Sequence, residues 1–202
     1  MKIICIGRNY SNHAKEMNSP IPSEPLFFMK PDTALFRDTN FYYPEFTNDL
    51  HHEVELVVKI SKVGKHISVE NAPKYYNEIG LGIDFTARDL QKECKEKGLP
   101  WEKAKAFDNS AVISSRFIAK DQLDLLDINF SLSKNDTVIQ KGNSKDMLFN
   151  IDTLISHISK FITLKTGDLI YTGTPEGVGP VKIGDKLIGF LNGENLFSIQ
   201  IK

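Results

Sequence analysis

The stretch His51–Ile60 constrains this chain more than any other. Val54, Leu56, Val58 and Ile60 alternate with Glu53, Glu55 and Val57. That is the period of a β-strand with one face in a core. Successive side chains point to opposite faces, so Glu53 and Glu55 share a face, roughly 7 Å apart along the chain. The strand is too apolar for a free edge, and two like charges there repel and are costly to desolvate. Two readings stay open at this point. The acidic face lies in water, which is the commoner arrangement for this spacing, or a divalent cation sits between the carboxylates.

A third acid shifts the balance. Asp84 closes the apolar run Ile79–Phe85, just before Thr86-Ala87-Arg88-Asp89, which reads as a capping box opening a helix that Gly98-Leu99-Pro100 ends. Capping or turn formation is the commoner role of an Asp in such a place, but a strand-end Asp also suits a ligand. Three carboxylates with no Cys/His set match a hard cation, Mg2+ or Mn2+, in oxygen coordination. His51 and His52 have no zinc spacing and read as structural or rim residues.

The rest of the chain reads as many short strands and few helices. Lys2–Ile6, Leu26–Met29, Leu125–Leu132, Thr137–Ile139, Leu169–Thr172, Lys186–Phe190 and Leu196–Ile201 are strand-like, with turn signals at Gly167-Asp168, Gly184-Asp185 and Asn192-Gly193. Asn9–Met17, Ala72–Ile79 and Met147–Phe161 are helix-like, the last with apolar residues at 148, 151, 154, 155 and 158. Strands and helices do not alternate regularly. This predicts a mostly β (α+β) fold, a mixed or antiparallel sandwich or roll, rather than a doubly wound sheet. No repeat or linker divides residues 1–202, so one domain is expected. With 25 Lys+Arg against 26 Asp+Glu, the net charge of −1 gives no reason to expect a nucleic-acid or membrane partner. The apolar run after Met1 ends at Gly7, too early for a signal peptide, and Cys5 and Cys94 form no CxxC pair. A cytoplasmic, reducing location is the expectation.

Taken in order, several motifs resemble the fumarylacetoacetate hydrolase family. They are Gly7-Arg8-Asn9-Tyr10 with His13 and Glu16, His52-Glu53-Val54-Glu55-Leu56, and Gly82-Ile83-Asp84-Phe85-Thr86-Ala87-Arg88-Asp89-Leu90-Gln91. Lys97-Gly98-Leu99-Pro100-Trp101 with Lys105-Ala106-Phe107 follows, and then Tyr171-Thr172-Gly173-Thr174-Pro175-Glu176-Gly177-Val178-Gly179. Each is weak alone; the ordered set, running from about residue 3 to 202, is specific. The nearest likeness is to the short acylpyruvase and oxaloacetate decarboxylase branch.

The resemblance implies a β-sandwich roll of that family's C-terminal type and a metal held by Glu53, Glu55 and Asp84. It implies substrate contacts from Arg88, Gln91 and Thr174, and catalytic roles for His13, Glu16 and Lys105. Arg88 and Gln91 are three apart on a helix and share a face, which by itself is equally a solvated face. A carboxylate three residues from an imidazole raises its basicity, although His13 and Glu16 are by spacing alone an ordinary surface pair. Lys105 rather than Lys103 matches the family lysine, while Lys30 is a weaker candidate. The glycine turn around Thr174 lacks the Gly-Lys-Ser/Thr ending of a phosphate loop. The expected reaction is hydrolysis of a C–C bond in a small acylpyruvate (a 2,4-dioxo acid), His13 activating water and Lys105 stabilising the departing enolate. The alternative is oxaloacetate decarboxylation or keto–enol isomerisation on the same scaffold. A homodimer, and a mobile lid over residues 9–22, complete what the resemblance implies.

Overall fold

The computed structural model describes residues 1–202. Its frame is an eight-stranded mixed sheet with Val54–Ile60 near the centre. The order runs Phe27–Lys30, Ile3–Ile6, Leu169–Tyr171, Val54–Ile60, Tyr76–Asp84, Ala111–Ile113 and Leu35–Phe36, and Ile118–Ala119 also pairs with Tyr76–Asp84. Ile3–Ile6 runs parallel to Leu169–Tyr171, and Leu35–Phe36 parallel to Ala111–Ile113; the other pairs are antiparallel.

A second sheet has five strands, in the order Thr137–Asn143, Asn129–Lys134, Lys186–Leu191, Glu194–Ile201 and Asn40–Phe41. The two sheets enclose the main core of 35 buried residues. Val54, Leu56, Val58, Ile60, Ile79, Leu81 and Ile83 enter it from the first sheet, and Phe130, Leu132, Leu187, Leu191 and Ile199 from the second. Burying a large aliphatic side chain is worth roughly 2 kcal/mol. Four of them on alternate positions fix which way Val54–Ile60 faces, and carry Glu55 to the opposite side. There Val57, Ile3, Cys5, Ala111, Leu169 and Tyr171 form a smaller cluster. The sheets meet closely at Gly189, where a Cβ would lie 2.9 Å from Leu81. The longest helix, Ile151–Phe161, is capped by the Asn150 side chain accepting from Thr153 N, and buries Ile151, Leu154, Ile155 and Ile158. The apolar spacing predicted that buried set.

Several boundaries differ from the sequence reading. His51–Ile60 is not one strand. Leu50–His52 belongs to a three-stranded sheet with Gly179–Pro180 and Thr86–Ala87, and Val54–Ile60 to the large sheet, with Glu53 at the corner between them. The corner exists because Val54 N donates to the Gln140 side chain at 3.1 Å. Thr86 does not cap a helix. It continues as strand against His51, and the helix runs Arg88–Lys97 after an uncapped Ala87. Asp89, the expected box partner, accepts instead from Thr47 Oγ1 and Asn48 N. Residues 72–79 are a 3-10 turn, Val69–Lys74, and then strand from Tyr76, because Pro73 interrupts any longer helix. The strand expected at Leu125 begins at Asn129, after a turn in which Asp124 accepts from Leu126 N. The first helix shortens to Ser11–Glu16.

His52 holds this corner from inside. Its Nδ1 lies 2.8 Å from Gln140 Oε1, which also accepts from Val54 N, so Nδ1 is the protonated nitrogen. Desolvation pushes its pKa down to about 4. The unfolded chain therefore binds a proton below pH 6.5 that the fold rejects until about pH 4. Stability from this group is complete above pH 6.5 and is lost as pH falls toward 4. In His52→Gln, the drop in Tm between pH 7 and pH 4.5 should be smaller than in the wild type. An equal drop would place the acid sensitivity elsewhere.

Candidate active site

The corner and the strand beside it assemble three carboxylates. Asp84 N donates to Glu53 O at 2.9 Å, placing Asp84 across from Glu53, and Glu55 pairs with Gly82 one step further in. One oxygen from each of Glu53, Glu55 and Asp84 lies within 4.8 Å of the others. The three are 5%, 1% and 1% exposed, so the solvated acidic face is not the arrangement adopted. Space on this face is made by Gly82: a Cβ there would collide with Val112 O and come 2.7 Å from the Tyr171 ring.

Three cations meet two of the three acids, Glu53 and Asp84. Lys105 Nζ lies 2.8 Å from both Glu53 Oε2 and Asp84 Oδ2. Arg88 Nη2 is 2.6 Å from Glu53 Oε1, and its Nη1 donates to Gln91 Oε1 at 2.6 Å. Lys30 Nζ is 2.7 Å from Asp84 Oδ1. The same Nζ also reaches Lys105 O, Ser110 O and Ser110 Oγ, so the Lys30 ammonium is the partner of Asp84 Oδ1. Arg88 Nε is buried and unpartnered. Desolvation acts to raise the Glu53 pKa, but Lys105, Arg88 and His13 hold it well below the usual range. Glu55 goes the other way: burial first, then Asp84 and Glu53, push it well up, against the Gly173 N–H that donates to its Oε2 at 2.7 Å. Gly173 is in the left-handed region with φ 97, and a Cβ there would sit 2.7 Å from Asn9 Cβ. Only glycine brings that N–H to Glu55 without strain.

These residues fit a divalent cation. The donor set is all oxygen, and the charge on Glu55 is disfavoured by burial and by its acidic neighbours, which a cation would relieve. Glu53, Glu55 and Asp84 could hold it.

His13 is buried at the same cleft, with Nδ1 3.2 Å from Glu16 Oε2. Glu16 Oε1 accepts from Gly177 N at 3.1 Å, tying the Ser11–Glu16 helix to the glycine turn. The cleft is lined by His13, Glu53, Arg88, Gln91 and Lys105, together with Arg8, Lys95, Phe28 and Trp101. Lys103, one of the two lysines the sequence left in play, is exposed. Thr174 is not among the cleft-lining residues. Its hydroxyl donates to Val54 O at 2.9 Å and accepts from Gln140 Nε2 at 3.0 Å, which fastens the glycine turn to the strand. Gln140 was missed, since nothing in Thr137-Val138-Ile139-Gln140 separates it from any strand polar residue. In the sequence Arg8 stands out only within a motif, and Lys95 is one of the charged residues that follow Gln91.

The profile described as Fumarylacetoacetate (FAA) hydrolase C-terminal matches residues 2–198. The chain belongs to the fumarylacetoacetate hydrolase family. Similar members include mitochondrial oxaloacetate tautomerase from Mus musculus, 43% identical over 202 residues, covering 99% of this chain and 91% of that one. Mitochondrial oxaloacetate decarboxylase from Dictyostelium discoideum is 45% identical over 186 residues, covering 91% of this chain and 85% of that one. Among solved structures, fumarylpyruvate hydrolase from Pseudomonas aeruginosa in complex with Mn2+ and pyruvate superposes with a TM-score of 0.93. It is 35% identical, over 100% of this chain and 89% of that one. The mostly β architecture is therefore that of the fumarylacetoacetate hydrolase C-terminal type, and a divalent ion is present in a family structure.

If the three acids bind an ion, Mn2+ should raise the Tm of the wild type. At one hundred times Kd the gain is about 2.7 kcal/mol. Glu55→Gln removes one of three crowded charges and keeps an oxygen for Gly173 N–H. Its metal-free Tm should be higher than that of the wild type, and its gain with Mn2+ should vanish in the same thermal-shift titration. Undiminished stabilisation by Mn2+ would remove Glu55 from the ligand set.

Proposed function

We propose that the protein is a divalent-metal-dependent keto–enol isomerase of a short 2-oxo dicarboxylic acid such as oxaloacetate. This is the alternative reading from the sequence, and two supports favour it over acylpyruvate hydrolysis. Relatives at 43% and 45% identity are named for oxaloacetate chemistry, tautomerase in one case and decarboxylase in the other. The cleft is also lined by four cationic side chains, Arg8, Arg88, Lys95 and Lys105, which suits a substrate with more than one carboxylate.

The observation that carries isomerisation is the His13–Glu16 couple in the same cleft as Lys105. Loss of CO2 needs no base, whereas moving a proton between carbon and oxygen does. Glu53, Glu55 and Asp84 are the proposed metal ligands; a divalent ion there supplies Lewis-acid polarisation of the 2-oxo group. Arg88, with Gln91 bonded to its guanidinium, orients a substrate carboxylate, for which its unpartnered Nε is a free donor. His13, oriented by Glu16, removes the proton from C3, and the electron pair forms the C2–C3 double bond. Negative charge develops on the 2-oxygen, where the Lys105 ammonium stabilises it. Return of that proton from the His13 imidazolium to the 2-oxygen completes the enol, and the reverse sequence returns the ketone. The segment 9–22 is proposed as the lid that closes over this cleft. Decarboxylation passes through the same type of enolate and is the second reading.

Purified protein with Mg2+ or Mn2+ should relax freshly dissolved enol-oxaloacetate, followed by its ultraviolet absorbance, faster than buffer does, with pyruvate formation near background. Matching release of pyruvate and CO2 would instead establish the decarboxylase, and cleavage of acetylpyruvate alone the hydrolase. His13→Gln should slow isomerisation by about 10²–10⁴-fold with Mn2+ affinity retained. A full rate in that variant would exclude His13 as the base.

A further inference from the structure

Two of the four cations in the cleft have no role in holding the acidic cluster. Arg88 and Lys105 are ion-paired to Glu53 and Asp84. Arg8 and Lys95 form no ion pair. The one hydrogen bond of the Arg8 guanidinium runs from Nη1 to Pro20 O at 3.0 Å. Lys95 Nζ stands 5.8 Å from the Trp101 ring centroid. Arg88, Gln91 and Lys95 fall at i, i+3 and i+7, so one helix face carries all three into the cleft. Arg88 and Lys95 are two turns apart, roughly 10 Å along the axis, and Arg8 reaches the same cleft from the segment after Ile3–Ile6. Like charges gathered this way repel. Partial burial lowers the Lys95 pKa, and Arg88, Arg8 and Lys105 lower it further, against Glu53, which raises it. Arg8 and the exposed Lys95, neither with an anionic partner, leave a positive field at the cleft that a bound anion would answer.

We infer that Arg8 and Lys95 form a subsite for the distal carboxylate of the substrate, and so determine the preference for dicarboxylic over monocarboxylic 2-oxo acids. The inference rests on the proposed function for the identity of the reacting end. Arg88 and Gln91 take the carboxylate next to the 2-oxo group, beside the acidic cluster. The other carboxylate of a four-carbon acid then lies toward the mouth, between Arg8 and Lys95. The planar guanidinium of Arg8 has donors to spare for a two-point contact, and Lys95 adds a point charge steadied on Trp101. Because Arg8 also bonds Pro20 O, the subsite is joined to the far end of the 9–22 segment.

The test compares oxaloacetate with its 4-methyl ester, which keeps the reacting end and lacks the distal charge. In the wild type, kcat/KM should favour the dianion. In Arg8→Met/Lys95→Met that preference should fall at least about tenfold, through KM for oxaloacetate rather than kcat, and Arg8→Lys should restore part of it. Calorimetric binding of oxaloacetate and of the ester, each in the presence of Mn2+, gives a readout independent of turnover. Preferential binding of the dianion that the double variant abolishes would support the subsite even if no isomerisation occurs, in which case the proposed function alone fails. Equal losses for both compounds, or an unchanged preference in the double variant, would overturn the subsite.

Discussion

Three carboxylates, each at most 5% exposed, cluster at the corner of the large sheet, and burying such charges without compensation is costly. Lys30, Lys105 and Arg88, from three separate segments, pair with Asp84 and Glu53, while Glu55 has only the Gly173 N–H. Each segment is held by what its cation touches. Lys30 gathers the carbonyls of Lys105 and Ser110, and thereby fixes the turn that delivers Lys105. Removing one partner of such a buried pair strands the other, at about 3–5 kcal/mol. The cluster is therefore both the chemical centre and a structural junction. Glu53, Asp84 and Lys105 are placed by the same contacts that would tune them.

The balance of three against three also says what the cleft can receive. A divalent ion added to a neutral cluster leaves two positive charges. A 2-oxo dicarboxylate carries two negative ones. A monocarboxylate would leave part of that field unanswered, and Arg8 and Lys95 at the mouth increase the excess. This positive excess is the physical support for the proposed dicarboxylate substrate over an acylpyruvate.

The alternation of Val54, Leu56, Val58 and Ile60 was legible because period two is a local property of a strand, and it carried Glu55 with it. The corner at Glu53 was not, since it depends on Gln140 from a distant strand reaching Val54 N and His52. Thr86 looked like a helix cap because capping is read from four consecutive residues. The pairing of Thr86 with His51 is a long-range fact that overrides it. Thr174 was placed by motif in the right turn, but the direction of its hydroxyl is set by Val54 O across the sheet. Lys95 sits in a run of charged residues and is itself exposed; only its place at the cleft beside Trp101 separates it from its neighbours. Motif order located the site; the partners of each side chain had to come from tertiary structure.

The base and its support illustrate that dependence most directly. A helix of six residues has too few internal hydrogen bonds to persist alone. Ser11–Glu16 is held instead by its ends. Asn9 donates to Phe149 O and Thr172 O and accepts from Phe149 N, while Asn12 donates to Glu176 Oε1. Glu16 uses one oxygen for His13 Nδ1 and the other for Gly177 N–H. The carboxylate that orients the imidazole is thus the same group that fastens the helix to the glycine turn. Anything that undocks the helix also withdraws the acid from its histidine, so the His13–Glu16 pair and a docked helix are one condition rather than two.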